Sequence, residues 1–369
     1  MFLTILVFVL VLGVLIFVHE LGHFLSAKRV GLTVEEFGFG FPPRLFGIKR
    51  GGTIYSINWI PFGGFVKILG EGGEEADKKE SFASRRIHVR AIVVAAGVIM
   101  NFVLALFLLW IVNMAGTATA VDEETKLPAY ARSRDPAVSV TQVIAQSPAE
   151  TAGIRPGDQV VRVEGQSVTE EQQIVDLIAS RGGQPTTLEL LRGDSPIKVS
   201  ATPRADPPQG QGPLGIGLVK TVTVSYPWYV ALWQAAKQTG YLTVQIFVVF
   251  AAVIKQLLTQ GSVAADVAGP VGIAVMTGQV LDLGIVPLLQ FAALLSINLG
   301  IINALPFPAL DGGRLLFLAI EKIRRRKVSR KVENTIHTVG FGLLLLLIVA
   351  VTARDFIRFD VIERIQKLF

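Results

Sequence analysis

Cysteine is absent from the 369 residues of this chain, and charged side chains are scarce. The lack of cysteine excludes disulfide frameworks, zinc knuckles, iron–sulfur clusters and a thiol nucleophile. Charged residues make up only 17% of the chain and hydrophobic residues 51%, and the mean hydropathy is +0.53. Soluble domains carry about a quarter charged residues, so the composition argues against a soluble enzyme and against a disordered chain. It predicts a membrane protein.

Four apolar stretches are long enough to cross a bilayer as helices, since about 20 apolar residues are needed. They cover residues 1–27, 91–115, 284–311 and 336–353. The first stretch has no basic residue ahead of its apolar run and no small-residue cleavage site behind it. We therefore expect a retained anchor helix there and not a cleaved signal peptide. The predicted fold class is a polytopic α-helical membrane protein with about four transmembrane helices.

The Lys and Arg residues between these stretches predict the orientation of the chain. Residues 28–90 hold 11 Lys and Arg against 7 Asp and Glu, and residues 312–335 hold 8 against 2. Residues 116–225 hold 10 against 13. Because basic loops stay in the cytoplasm, we expect the first two regions inside and the third outside, with 354–369 as a C-terminal tail. The positive charge then suits anionic membrane lipid and does not indicate a nucleic-acid partner.

The apolar segment 226–254 tests this scheme, because Lys237 is its only charged residue. If it crossed the bilayer, the next span would run in the opposite direction and its basic flank would lie outside, against the positive-inside rule. We therefore interpret 226–283 as an outer interfacial helix followed by a linker. Aromatic residues such as Trp228 and Trp233 would rim this helix at the membrane surface.

The loop 28–90 alternates apolar and polar residues over three short stretches, which is typical of strands. They are Leu32–Phe39, Thr53–Trp59 and Phe65–Leu69, separated by glycine pairs at 51–52 and 63–64. We expect a cytoplasmic, membrane-associated β-hairpin region with tight turns at both glycine pairs. Its clustered aromatic residues either dip into the lipid or form an ordinary core.

A small β-rich domain is predicted inside 116–225. The pattern runs through a strand, a helix and two further strands, at Gln159–Val163, near Glu170–Ser180, and near Thr186–Arg192 and Ile197–Thr202. With Pro213-Leu214-Gly215-Ile216-Gly217 coming last, this order resembles a circularly permuted bacterial PDZ domain. The resemblance implies that an extended peptide binds along a sheet edge. The alternative is a domain that only blocks access sterically.

Two of the four histidines stand in His19-Glu20-Leu21-Gly22-His23, near the inner end of the first span. Residues four apart on a helix lie on the same face, so both imidazoles can share one metal ion. A zinc ion in such a site polarises a carbonyl and acidifies water, and Glu20 stands beside it as a proton acceptor. Ionisable groups in a membrane span are functional by default because they are costly. An idle polar helix end is the alternative.

A catalytic zinc needs a third protein ligand, and Asp311 is the best candidate. It follows Leu305-Pro306-Phe307-Pro308-Ala309-Leu310 at the end of the third span. In the orientation derived from Lys and Arg alone, Asp311 lies on the same side of the membrane as the two histidines. The two prolines interrupt the helix, which is tolerated only where the backbone lines a cavity or is buried in protein. The other histidines, His88 and His337, have no surroundings that point to a metal.

These motifs together identify a family resemblance. His-Glu-x-x-His, Asn-x-x-Pro-x-Pro-x-Leu-Asp-Gly-Gly from Asn303 onward, the PDZ-like insert and Gly269-Pro270-Val271-Gly272-Ile273 resemble the site-2 intramembrane metalloproteases, most closely the bacterial sigma-E-regulating group. The resemblance covers nearly the whole chain. It implies that the zinc ligands are His19, His23 and Asp311. It also implies that Glu20 is the general base and that Asn298 and Asn303 contact the substrate. Two departures are a single PDZ domain in place of two, and Gly97-Val98-Ile99-Met100-Asn101, where the family often has Gly-Pro before the Asn.

The function that the resemblance implies is an intramembrane zinc endopeptidase in the bacterial inner membrane, with the PDZ domain on the extracytoplasmic side. Its partners would be single-span substrates, such as anti-sigma-factor-like proteins or signal-peptide remnants. A helical substrate must unwind before cleavage, so we expect the hairpin to pair with it and the PDZ domain to gate access. The alternative is a PDZ-bearing membrane scaffold with a structural or idle metal site. A structural zinc site normally has four protein ligands and no spare Glu, which weighs against it.

Overall fold

The structure is a computed structural model that describes residues 2–72, 77–121, 127–128, 130–193, 195–260 and 268–358. Its helices are α1 (Phe2–Arg29), α2 (Ile87–Ala115), α3 (Pro148–Thr151), α4 (Glu171–Ala179), α5 (Trp228–Gln260), α6 (Pro270–Asp282), α7 (Ile285–Ala304), α8 (Asp311–Arg324) and α9 (Arg330–Arg358). Its strands are β1 (Val34–Arg50), β2 (Thr53–Ile68), β3 (Thr117–Ala120), β4 (Arg132–Val143), β5 (Gln159–Val163), β6 (Gln166–Ser167), β7 (Thr186–Arg192), β8 (Ser195–Ala201) and β9 (Ile216–Ser225).

The chain forms two compact units, each of which is continuous in space but not in sequence. The helical unit comprises Met1–Leu108, Ala236–Gly278 and Phe291–Phe369. The sheet unit comprises Leu109–Ala235 and Gln279–Gln290.

Five helices in the described part of the chain are long and apolar enough to cross a membrane, one more than the sequence predicts. Four of them, α1, α2, α7 and α9, correspond to the predicted spans. The fifth is α5, whose apolar part Trp228–Val253 has the lowest mean hydropathy of the five, 1.2. Length and composition alone do not distinguish a spanning helix from an interfacial one, so the interfacial placement of 226–254 stays a prediction. Of the tail predicted at 354–369, residues 359–369 lie outside the described residues.

Helices α1 and α2 pack closely because small residues line their contact. A Cβ atom at Gly22 would lie 2.7 Å from Met100 Cγ and closer still to the backbone of Ala96. Towards the end of α1 a small apolar core joins this helix pair to the start of β1; its buried members are Ala27, Leu32, Val34, Ile68, Phe82, Val93 and Val94. The packing therefore fixes the last turns of α1, which carry His19 and His23, against α2.

The predicted β-hairpin is present, but it consists of two long strands instead of three short ones. The turn between β1 and β2 lies at Gly51 and Gly52, whose φ angles are 55° and 80°. Residues 36–39 of β1 lie opposite both 54–57 and 64–67 of β2, while 46–50 lie opposite 53–57. The hairpin is thus folded back on itself, and its backbone groups are paired over most of its length.

The second predicted turn, at the glycine pair 63–64, is wrong. Both glycines lie inside β2, where Gly63 has φ of 77°. A Cβ atom at Gly63 would lie 2.6 Å from Ile16 Cγ2. Glycine is therefore required here by a close approach of β2 to α1 and by a backbone irregularity within a strand, and the sequence pattern alone does not distinguish this from a turn.

The sheet unit is built on a seven-stranded sheet. Its strands follow the order β3-β9-β4-β5-β7-β8, with β6 paired to β5. The predicted strands at 159–163 and 186–192 and the predicted helix near 170–180 are confirmed as β5, β7 and α4. The apolar side of the sheet and of α4 forms one core, whose largest fully buried members are Ile174, Leu188, Leu190 and Leu214. The β-rich domain predicted inside 116–225 is thus present with a folded core of its own.

A buried ion pair ties the start of β5 to β7. Asp158 is fully buried and accepts two hydrogen bonds from Arg192, at 2.7 Å each, and one from the backbone N–H of Arg155 at 2.8 Å. The hydrogen bonds to Asp158 raise the pKa of Arg192 above its ordinary value. Arg155 in turn forms an ion pair with Asp282 at the end of α6, at 2.9 Å. The sheet is thereby joined to the turn that precedes α7.

The motif Gly269-Pro270-Val271-Gly272-Ile273 forms the start of α6, where it meets α9. The backbone N–H of Gly272 donates to Asp355 Oδ2 at 2.7 Å, and Asp355 is fully buried. A Cβ atom at Gly269 would lie 2.8 Å from the same carboxylate oxygen. The motif is therefore a docking point, in which a buried carboxylate satisfies an N–H group that the first turn of a helix leaves unpaired.

Candidate metal centre

Two helix ends supply the metal-ligating groups predicted from the sequence. His19 and His23 lie one turn apart on α1, and Asp311 is the first residue of α8. Asp311 Oδ2 is 3.0 Å from His19 Nε2 and 3.2 Å from His23 Nε2, and the two Nε2 atoms are 3.2 Å apart. Both histidines are buried. The structure therefore brings the three residues together across nearly 300 positions of sequence.

The triangle of donor atoms fits a zinc ion. Zinc bonds of about 2.0–2.1 Å in tetrahedral geometry place neighbouring ligand atoms about 3.3 Å apart, close to the three separations observed. Asp311 Oδ2 is buried and has no hydrogen-bond partner among the described residues. Within the described chain this is the only group of three such side chains with the spacing of a metal site. Three protein ligands leave a fourth position open, as in catalytic zinc sites.

The ring orientation of His23 suits metal binding through Nε2. Its Nδ1 lies 2.9 Å from the backbone carbonyl oxygen of Val93 on α2. A carbonyl oxygen only accepts, so Nδ1 carries the proton and Nε2 carries the free electron pair. Metal-bound histidines are generally held in this way by a second hydrogen bond.

His19 is held by Asn101, a residue that the sequence analysis did not assign to the site. The side-chain amide of Asn101 is fully buried and lies 3.1 Å from His19 Nδ1. The amide nitrogen Nδ2 faces the ring in the structure, and a flip of the amide, which exchanges O and N in place, would let Asn101 Oδ1 accept the Nδ1 proton and leave His19 Nε2 free for a metal. The backbone carbonyl of Asn101 accepts a hydrogen bond from Ser296 on α7, at 2.8 Å. A buried amide in an otherwise apolar span was the available signal.

Gly97 is the second residue of the centre that the sequence analysis did not assign. It lies one turn before Asn101 on α2, and a Cβ atom there would lie 2.6 Å from His23 Cε1 and 2.9 Å from His19 Cε1. Any side chain at 97 would therefore enter the space of the two imidazole rings. The close approach of α2 to α1 at this point is what positions the rings.

The segment Leu305–Leu310 places Asp311 by a close-packed turn between α7 and α8. A Cβ atom at Gly312 would lie 2.5 Å from the carbonyl carbon of Ala304, and one at Gly313 would lie 2.9 Å from that of Phe307. The two glycines after Asp311 are thus required by backbone that folds over the start of α8. Side chains at either position would push the first turn of α8 away and move the carboxylate.

Glu20 lies next to His19 on α1 and is half-buried. A Cβ atom at Gly64 would lie 3.8 Å from Glu20 Cγ, so strand β2 passes this side chain. The site therefore offers a carboxylate beside the three candidate ligands, with strand backbone next to it.

Asn298 and Asn303 are half-buried on α7. In the described chain, the Nδ1 atoms of the two histidines are hydrogen-bonded to residues of α2: His19 to the side chain of Asn101, and His23 to the backbone carbonyl of Val93. Among the described residues, no hydrogen bond joins either asparagine to His19, His23 or Asp311, and their predicted role towards a substrate stays a prediction.

A polar cavity of about 400 Å³ lies in the helical unit beside the turn that carries Asp311. Two ion pairs line it: Arg90 with Glu321 at 2.6 Å, and Arg314 with Glu71. His337 and Ala309 also line it. The acidic and basic side chains that line the cavity are equal in number, so the cavity is polar but does not favour ions of one sign.

Comparison with known proteins places the chain in a family. The family model of peptidase family M50 matches residues 7–347. A protein of Clostridium perfringens is 35% identical over 349 residues, covering 94% of this chain and 97% of its own length. Zinc metalloprotease RasP of Geobacillus kaustophilus is 30% identical over 434 residues, covering 96% and 98%. Regulator of sigma-E protease RseP of Escherichia coli is 30% identical over 439 residues, covering 95% and 98%.

Among solved structures, a PDZ domain of the SdrC-like protein from Listeria monocytogenes aligns with 26% of this chain and 93% of its own. The identity is 22% and the TM-score is 0.21.

Proposed function

Because the chain belongs to peptidase family M50, the site-2 protease family, and is a multi-pass zinc metalloprotease, we propose that it is an intramembrane endopeptidase that cuts single-span membrane proteins. The observation that carries the proposal is the triangle of His19, His23 and Asp311, with donor atoms 3.0–3.2 Å apart. The two histidines lie on the apolar helix α1, and Asp311 begins α8 just after the apolar helix α7. These three residues would hold the zinc ion. Glu20 would be the general base, since it is the carboxylate adjacent to this triangle.

The proposed role of each residue in the site follows from its chemistry and its position. Zinc, when bound, polarises the scissile carbonyl and acidifies water. Glu20 takes the proton of the attacking water and delivers it to the leaving nitrogen. Asn101 and the Val93 carbonyl would hold both imidazoles through Nδ1, which leaves the two Nε2 atoms for the metal. Gly97 keeps the space of the two rings free.

Strand pairing is the proposed means of holding an unwound substrate. Unpaired backbone groups in a membrane cost several kcal/mol each, so an unwound helix needs new partners. Residues 46–50 of β1 pair only with 53–57 in the described chain, which leaves their other edge open. An extended substrate would pair there, and Asn298 or Asn303 would satisfy further backbone groups.

A PDZ-type peptide groove is proposed between β9 and α4. Strand β3 pairs with 221–224 of β9, so on that side residues 216–219 are unpaired in the described chain. Lys220 and Glu170 form an ion pair at 2.5 Å that joins this part of β9 to the start of α4. An extended peptide would add to 216–219 by β-augmentation. A domain that only blocks access to the site is the alternative, and either form would gate substrates by their outer portion.

The proposed location is the bacterial inner membrane, with the basic loops and the metal centre on the cytoplasmic side and the sheet unit outside. The close approach of Asp311 to His19 and His23 supports this arrangement. Both α1 and α7 must then run from outside to inside, which agrees with the orientation expected from Lys and Arg. Anionic lipid would contact the basic loops.

The deciding experiment uses the purified protein and its Glu20→Gln variant with a single-span reporter that lacks an outer domain. We expect the wild type to cut the reporter and the variant to bind one zinc ion per chain without cutting. Equal cleavage by both would show that Glu20 is not the base. If neither cuts although both bind the reporter and zinc, the scaffold function is favoured. Removal of zinc would then leave reporter binding intact.

A further inference from the structure

Helix α9 contacts the turn that precedes Asp311 at two places. The backbone N–H of Ala309 donates to His337 Nδ1 at 2.8 Å. One turn further along α9, a Cβ atom at Gly340 would lie 2.9 Å from the carbonyl oxygen of Pro308. The two contacts involve consecutive residues of the turn and the same face of α9, because residues three apart on a helix are neighbours. The turn is therefore docked onto α9 immediately before Asp311.

The conformation that α9 holds is an unusual one. Ala309 has φ of 76°, in the left-handed region that residues with a Cβ atom avoid. Such a conformation persists only where surrounding contacts enforce it. The hydrogen bond from Ala309 to His337 is the contact made by its own N–H group. The ring of His337 is itself packed against Phe317 of α8, with centroids 5.4 Å apart.

We propose that His337 is a positioning residue for the metal centre: it holds Ala309 in the left-handed conformation and thereby sets the place of the Asp311 carboxylate relative to His19 and His23. His337 lies outside the ligand triangle, and its hydrogen bond is to the backbone of the turn that precedes Asp311. Through it, the position of α9 is linked to the affinity for zinc. This inference rests on the proposed zinc site.

The test is the zinc affinity of the full-length protein, measured by competition with a chromophoric chelator. We expect His337→Ala to raise the zinc dissociation constant about tenfold, since residues that support metal ligands contribute about 10- to 100-fold. In His337→Asn the side-chain oxygen sits near the place of Nδ1 and accepts the Ala309 N–H, so most of the affinity should return. His88→Ala, an exposed histidine, should bind zinc like the wild type.

A glycine pair on α9 gives a second test that does not depend on His337. Gly340→Ala should weaken zinc binding, because its Cβ atom meets the backbone of Pro308. Gly342→Ala adds the same methyl group to the same helix at a position with open space around it, and should not. Equal zinc affinity for the wild type, His337→Ala and Gly340→Ala would overturn the proposal. So would a His337→Asn variant as weak as His337→Ala.

Hydrogen exchange of the metal-free protein separates the inference from the proposed function. Peptides covering 305–311 should exchange faster in His337→Ala than in the wild type, because the Ala309 amide loses its acceptor. If the wild type binds no zinc, the proposed function fails, whatever the exchange shows. If the wild type binds zinc and the turn exchanges equally in both proteins, only the positioning role fails.

Discussion

At the residue scale, Gly97 and Asn101, one turn apart on α2, fix the orientation of the two histidine rings. The His-Glu-x-x-His motif alone does not fix it. A helix presents two imidazoles on one face, but the direction of each ring and the proton it carries depend on its neighbours. Asn101 contacts His19, and the Val93 carbonyl contacts His23. Because α2 approaches so closely, residue 97 has no room for a side chain.

The first prediction concerns Gly97. Gly97→Ala places a methyl group against both rings, so we expect the zinc dissociation constant to rise about 10-fold or more. Chelator competition on the purified protein measures it. The control is Ile99→Ala, an exposed position of the same helix. Unchanged zinc affinity in Gly97→Ala would show that the two rings can move without loss, and the geometry of the centre would then be less constrained than the packing indicates.

At the element scale, buried polar groups join helices that the sequence separates. Asp355 of α9 meets the first turn of α6, and Ser296 of α7 meets the backbone of α2. Such groups are costly when unpaired and stabilising when paired. Apolar contacts have no direction, so these polar contacts are the more specific determinant of which helices pack side by side.

The second prediction is made for the Asp355 contact. Asp355→Ala leaves the Gly272 N–H without its acceptor, and we expect a loss of about 1–2 kcal/mol in the free energy of unfolding. Asp355→Asn keeps an acceptor oxygen and should lose less. Thermal unfolding in detergent gives the comparison, with Asp206→Ala, an exposed aspartate, as the control. If both alanine variants unfold at the wild-type temperature, the contact contributes nothing measurable.

The third prediction concerns the open edge of the hairpin. Successive N–H groups of a strand point to opposite sides, so a proline scan over 46–49 should alternate in effect. Prolines whose replaced N–H faces the open edge should reduce cleavage of a helical substrate, while an already extended peptide is still cut. Cleavage of both substrates by purified variants is the measurement. If no proline in the scan changes cleavage of the helical substrate, pairing at this edge is not how the substrate is held.

At the scale of the whole molecule, chain direction connects the metal centre to the topology. His19 and His23 lie in the C-terminal half of α1, and Asp311 lies just after the C-terminal end of α7. If both helices span the membrane, they therefore enter it from the same side. If α5 crosses as well, the chain must cross back before α7 begins. Helix α6 has 13 residues, about 20 Å at 1.5 Å per residue, which is short of the roughly 30 Å core of a bilayer.

The fourth prediction tests the placement of α5, and the absence of cysteine makes it practical. Single cysteines at Tyr229 and Thr259, exposed residues near the two ends of α5, should react with a membrane-impermeant thiol reagent from the same side. Cysteines at exposed positions Ser167 and Arg326 mark the two faces. Labelling of 229 and 259 from opposite sides would show that α5 spans the membrane, and the outer interfacial helix would be wrong.

The fifth prediction tests gating by the sheet unit. Deleting residues 138–217 should let the enzyme cut a substrate that retains its outer domain, while cleavage of a trimmed substrate stays near the wild-type rate. The two substrates are compared in the same vesicles. Zinc content serves as the control for an intact centre. A deletion variant that still rejects the untrimmed substrate would argue against gating.

The sequence by itself determined the features that depend on local periodicity. Charge-poor runs predicted α1, α2, α7 and α9, and a spacing of four placed His19 and His23 on one face. Alternation and turn residues predicted β5, β7 and α4. These patterns are local because a helix or strand repeats its contacts every few residues.

Only the tertiary structure decided which distant groups meet. His19 and Asn101 are 82 positions apart, and Ala309 and His337 are 28 apart. Gly63, read from its pattern as part of a turn, lies inside β2 because α1 packs against it. Periodicity carries no information on such contacts, since they arise from the close packing of elements whose order in the chain does not fix their neighbours. The donor triangle was therefore predictable in its residues, and the groups that orient it were not.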